Sequence, residues 1–147
     1  MMAPFADRSH AGACLAAELI ALGVGQNQGS GEAKLGVADS EILVLGLPRG
    51  GVVVAYAIAE RLNAPLDALI VRKLGAPGQE ELAIGAIASG RICVRNEALI
   101  EALGLGEEEI TEIVAREERE LHAREKLYGL DRTPSDLEGK TLILADD

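Results

Sequence analysis

Aromatic side chains are scarce: the 147 residues hold one Phe, two Tyr and no Trp. The apolar interior must therefore be assembled from Leu, Ile, Val and Ala, which suits a parallel sheet covered by helices. Positive charge is also short. Lys and Arg number 14 against 24 Asp and Glu, a formal net charge of -10. That argues against a general nucleic-acid surface, because such surfaces are basic. Only two cysteines are present, Cys14 and Cys93. They are far apart, sit among apolar neighbours and lack metal-ligand spacing, so they read as two buried thiols of a reduced protein. No apolar run approaches the ~20 residues that cross a bilayer. The opening, MMAPFADRSHAG, has an early acid and no signal-peptide core. The expected location is the cytoplasm, with neither membrane nor nucleic acid as a partner.

What is present is a hydrophobic fraction of 48%, enough to fold as a single domain over residues 1–147. A first helix is expected over 9–22, with Ala11, Cys14, Leu15, Leu19 and Leu22 on its apolar face and Asp7 or Ser9 as its cap. The polar, glycine-rich stretch 23–39 reads as a flexible linker. Residues 42–47 read as a core strand, 51–62 as a helix ended by Asn63-Ala64-Pro65, and 66–71 as a second strand completing a right-handed βαβ unit. Residues 72–82 read as a charged loop, followed by strands at 83–88 and 92–94 that turn at Ser89-Gly90. Asn96 caps a short helix that ends at Gly104. Residues 107–128 form a long charged helix with a narrow stripe of Ile110, Ile113, Val114, Leu121 and Tyr128. Opposite charges four apart (Glu112 with Arg116, Arg116 with Glu120, Glu120 with Arg124) support it. The Glu107-Glu108-Glu109 run complements the helix start and is no metal site. A connector over 131–140 leads to a buried strand at 141–145, followed by Asp146 and Asp147.

The turn Leu47-Pro48-Arg49-Gly50-Gly51 joins the first strand to its helix. Two glycines allow close approach of backbone to a ligand, and dihedrals closed to other residues. The helix start favours an anion, and the Arg49 fork suits phosphate oxygens. A βα turn that needs glycine only for packing would read the same way. Neither G-x-G-x-x-G nor G-x-x-x-x-G-K-[ST] is present. Arg72 and Lys73 join Arg49 at the expected C-terminal ends of strands, where open α/β sheets bind ligands. His10 and His122 lack partners at ligand or triad spacing, and Tyr56 reads as packing.

Three segments in order, LGLPRGG at 45–51, VRKLGAPGQEELAIGAIA at 71–88 and TLILADD at 141–147, resemble a type I phosphoribosyltransferase. Phe5, Asp7, Arg8, Ala11, Gly12, Leu15 and Ala16 match the N-terminal helix of that family's bacterial predicted-phosphoribosyltransferase subgroup. The resemblance implies an α/β fold of three layers around a mostly parallel sheet, with an N-terminal helix and a long charged helix. TLILADD matches the opening of the motif that binds phosphoribosyl pyrophosphate (PRPP) and stops after its second acid. The chain therefore reads as C-terminally incomplete, cut within the active site, and as impaired or inactive in this form.

The resemblance assigns the reaction as well: transfer of phosphoribosyl from PRPP to a nitrogenous base with release of pyrophosphate. Pro48, Arg49, Gly50 and Gly51 would hold the pyrophosphate, with a cis peptide expected at Arg49–Gly50. Arg72 and Lys73 would reach the pyrophosphate or a closing loop that contains Glu80 and Glu81, and Lys73 is counted among the catalytic groups. Asp146 and Asp147 would take the ribose hydroxyls and help to place Mg2+ through water. The alternative is a non-catalytic PRPP- or nucleotide-binding regulatory domain. An uncovered sheet face implies self-association or a homo-oligomer.

Overall fold

The structure, a computed structural model, describes residues 5–25, 41–130 and 137–147. Most of the expected linker, residues 26–40, and residues 131–136 of the connector lie outside them. The elements are α1 (Arg8–Ala21), β1 (Ile42–Gly46), α2 (Gly50–Leu62), β2 (Leu66–Ala68), β3 (Val71–Ala76), β4 (Gln79–Ala88), β5 (Ile92–Arg95), α3 (Glu97–Leu103), α4 (Glu107–Tyr128) and β6 (Thr141–Ala145). They fall into two compact units, Met1–Leu69 with Leu137–Asp147, and Ile70–Asp136.

The first unit is a parallel sheet in the order β2-β1-β6. Val44, Val54, Ala55, Ile58, Ala59 and Ala145 form its core with α2, and Ala16 brings in α1. β1 is buried on both faces, as Leu43 and Leu45 are also shielded, which fits its unbroken apolar run. The packing face of α1 differs from the expected one. Gly12 and Ala16 are its buried residues, while Leu15 and Leu22 are exposed. The reason is the closeness of α2: a Cβ on Gly12 would collide with the Val54 carbonyl and lie 2.8 Å from the Ala57 Cβ. Small residues win that face because large ones cannot enter. Asp7 caps the helix by accepting the His10 N–H at 2.8 Å.

The second unit is an antiparallel sheet in the order β3-β4-β5. Leu74, Ile84, Ile87, Ile100, Ile110, Ile113 and Leu121 make its core. The expected strand over 66–71 breaks after Ala68, and the expected loop over 72–82 is an antiparallel hairpin. Its two-residue turn is Pro77-Gly78, with Gly78 at φ +72, a pairing that favours tight turns. The turn at Ser89-Gly90 forms as expected, with Gly90 and Arg91 both at positive φ. Asn96 caps α3 by accepting the Leu99 N–H at 3.1 Å. On α4, Glu117 is buried among the apolar stripe, whereas Tyr128 is exposed.

Candidate functional site

β1 and β6 pair in parallel from Ile42 with Thr141 to Gly46 with Ala145. Strands in that register end side by side, so residues 47–51 and the Asp146-Asp147 pair emerge at one edge of the sheet. The Leu47 N–H extends the ladder by donating to the Ala145 carbonyl at 2.9 Å. The peptide bond between Pro48 and Arg49 is cis, one position before the bond expected to be so. Arg49 is the N-cap of α2 without a side-chain cap bond, and its side chain is exposed.

The glycines of the turn are required for space, not for dihedral freedom, since neither Gly50 nor Gly51 has positive φ. A Cβ on Gly51 would lie 2.6 Å from the Ala145 carbonyl oxygen and 2.8 Å from the Asp146 Cα. A Cβ on Gly50 would occupy the Asp147 carboxylate. Gly51 thus lets α2 start against the end of β6, and Gly50 leaves room for an acid over the turn.

Arg8 meets that acid. Its Nε donates to the Asp147 Oδ2 at 2.7 Å, and its Nη2 donates to the same oxygen. The sequence places Arg8 in the N-terminal helix motif without a role, so this partner of the site was missed there. Asp146 Oδ1 accepts the Asp147 N–H at 2.9 Å.

Arg72 and Lys73 belong to the second unit. They stand near the start of β3, not at the C-terminal end of a strand. Adjacent strand residues face opposite ways, and only Arg72 shares its face with the buried Leu74 and Ala76. Its Nε and Nη2 donate to Glu117 Oε2 at 3.0 and 2.6 Å. Arg116 donates to the other oxygen at 3.2 Å, so the expected pairs of Arg116 with residues four away give way to this contact. Burial pushes the Glu117 carboxyl up, but the hydrogen bonds and charges of Arg72 and Arg116 outweigh it and leave it below the ordinary glutamate range. Lys73 pairs with the exposed Glu81 at 3.1 Å. These groups line a cleft of about 280 Å³ with Glu80 and Val71.

Other sequence expectations change. Cys93 is exposed and Cys14 is half-buried, both as free thiols. His10 does have partners: its Nδ1 accepts the Ala6 N–H at 3.0 Å, and its Nε2 lies 3.5 Å from the Cys14 Sγ. Tyr56 is 58% exposed and is no packing residue. Among the described residues no three His, Cys, Asp or Glu side chains converge as a metal cluster, and no helix is long and apolar enough to cross a membrane.

Known proteins resemble this chain. The family model described as the phosphoribosyl transferase domain matches residues 32–147. Two Mycobacterium tuberculosis proteins, each named "Putative phosphoribosyl transferase" (MT0597 of strain CDC 1551 / Oshkosh and Rv0571c of strain H37Rv), are 39% identical over 145 residues. The match takes in 97% of this chain and 29% of their length. The crystal structure of TT1426 from Thermus thermophilus superposes with a TM-score of 0.73 at 37% identity, covering 97% of this chain and 61% of that one. The turn, the paired strand ends and these matches agree: the chain belongs to the type I phosphoribosyltransferase family.

Proposed function

We propose that this chain binds PRPP at the turn over residues 47–51 and serves transfer of its phosphoribosyl group to a nitrogenous base, with release of pyrophosphate. The observation that carries this reading is the in-register end of β1 and β6, which brings Gly50 and Gly51 against Asp146 and Asp147. The C1–O bond to pyrophosphate breaks and a bond to the base nitrogen forms. Positive charge gathers on the sugar and negative charge on the leaving group. N–H donors at the start of α2 and the Arg49 guanidinium are suited to the leaving charge. The two carboxylates are suited to the ribose hydroxyls and the cationic sugar.

Mg2+ fits these residues in one particular way. Mg2+ keeps several waters and is held by one or two carboxylates together with substrate phosphates. Asp146 and Asp147 are such a pair, exposed and without a third ligand nearby among the described residues. They would hold a hydrated ion that arrives with the pyrophosphate, and that ion would neutralise leaving-group charge. Titration calorimetry with PRPP and with pyrophosphate, each with and without Mg2+, tests the reading. Saturable, Mg2+-dependent binding of both is expected. Heats indistinguishable from dilution for both ligands at millimolar concentration would sink it.

The second reading is a non-catalytic PRPP- or nucleotide-binding regulatory domain. It is favoured by the engagement of Arg72 and Lys73 with Glu117 and Glu81, since transfer would draw on those cations. Pyrophosphate release on adding purine and pyrimidine bases to the PRPP complex separates the two. Release supports transfer, and binding without release supports the regulatory reading.

A further inference from the structure

We infer that Arg8, on the N-terminal helix, is a positioning residue of the ribose half of the site, acting through Asp147. The inference rests on the PRPP reading above and goes beyond it by adding an element, α1, that the turn and the strand ends do not include.

Arg8, Gly12 and Ala16 are four apart and so lie on one stripe of α1. Gly12 and Ala16 are the buried members, and Gly12 approaches Val54 and Ala57 of α2 closely. One turn before Gly12 is Arg8, and one turn before Val54 is Gly50. The tight helix contact therefore carries Arg8 to the start of α2, where the Asp147 carboxylate lies over Gly50. The Asp7 cap fixes the first turn of α1 from which Arg8 extends.

The geometry of the pair fits orientation better than stabilisation. The Arg8 side chain is 58% exposed, and exposed ion pairs add little to folding. Yet two N–H groups converge on one oxygen, Oδ2, which holds that oxygen in place and leaves Oδ1 for a ribose hydroxyl. Removing Arg8 would free the acid to rotate above Gly50. The pyrophosphate seat would keep the N–H donors of the turn and feel the change only through an ion held by Asp147.

Calorimetry with Mg2+-PRPP and Mg2+-pyrophosphate on the full chain, its Arg8→Gln and Arg8→Lys variants, Asp147→Asn and the double variant tests this. Arg8→Gln is expected to weaken PRPP about tenfold, as loss of a charge-assisted hydrogen bond does, and pyrophosphate by clearly less, with melting temperature unchanged. Arg8→Lys should recover part of the loss, and Arg8→Gln should add little to Asp147→Asn. Wild-type PRPP affinity in Arg8→Gln would overturn the inference. So would equal weakening of both ligands, which would place the effect outside the ribose half. Absence of binding by the unmodified chain would instead overturn the PRPP reading on which it rests.

Discussion

The parallel unit and the antiparallel unit treat charge in opposite ways. Among the described residues the parallel unit buries no charged side chain. The antiparallel unit closes its core over Glu117 and spends Arg72 to neutralise it. Close packing in the first is achieved with glycine and alanine, and in the second with a buried ion pair beside aliphatic residues. The contrast teaches that a basic residue beside a strand is not by that fact available to a ligand. Arg49 is exposed at a turn, whereas Arg72 is held by the fold.

The strongest way to break the comparison is to add volume where the parallel unit has none. Gly51→Val is expected to cost about 3 kcal/mol by urea unfolding, the upper range for overpacking, because backbone on β6 blocks it. Gly78→Ala in the other unit meets open space and only an unfavourable φ, so about 1 kcal/mol is expected. Equal costs would mean that β6 yields to α2.

Next in size is Glu117→Ala, which strands Arg72. The range for breaking buried pairs, discounted because Arg72 is a quarter exposed, gives about 2–3 kcal/mol. The Arg72→Met/Glu117→Leu double variant should recover most of it. If the double variant is no better than the single one, the pair contributes more than its own neutralisation. The same pair sets a pH dependence. The folded Glu117 carboxyl lies below its ordinary value, so its stabilisation is full above the unfolded value of ~4.3. It is lost as pH falls through the lower folded value. A Glu117→Gln chain should show a flatter acid limb in its unfolding curves, and an unchanged limb would refute this account.

Smaller still are the caps. Asp7→Ala and Asn96→Ala, one in each unit, should each cost about 1 kcal/mol. Smallest is Glu81→Ala. Its side chain is fully exposed beside Lys73, so no measurable change in melting temperature is expected. A clear destabilisation there would show that the hairpin depends on that pair.

Much of this was legible in the chain. The strand at β1, the helix that follows, α4 and β6 are strongly patterned runs whose bounds are read closely, although β6, expected to be buried, exposes Leu142 and Leu144. Asn96 and Gly104 announce α3 through capping alone. The hairpin β3–β4 was misread because Arg72, Lys73 and the Glu80-Glu81 pair gave it the polarity of a loop; the Pro77-Gly78 dipeptide was the signal that could have found it. The buried face of α1 was misread because hydrophobicity ranks leucine above glycine, while the α2 contact is decided by distance. The turn and the two acids were identified as a set from family order. Arg8 was not, because no spacing in the sequence reveals that a residue near its start meets one near its end.

That last point follows from the β1–β6 ladder. Its partners lie nearly a hundred residues apart, so the ladder closes a large loop before its contacts give any return. The acids therefore reach Gly50 when β6 has docked, and not sooner. On the proposed PRPP reading, ligand binding would report that β6 has docked. In refolding, recovery of pyrophosphate binding should keep pace with amide protection in β6 and lag behind protection of the local hairpin β3–β4.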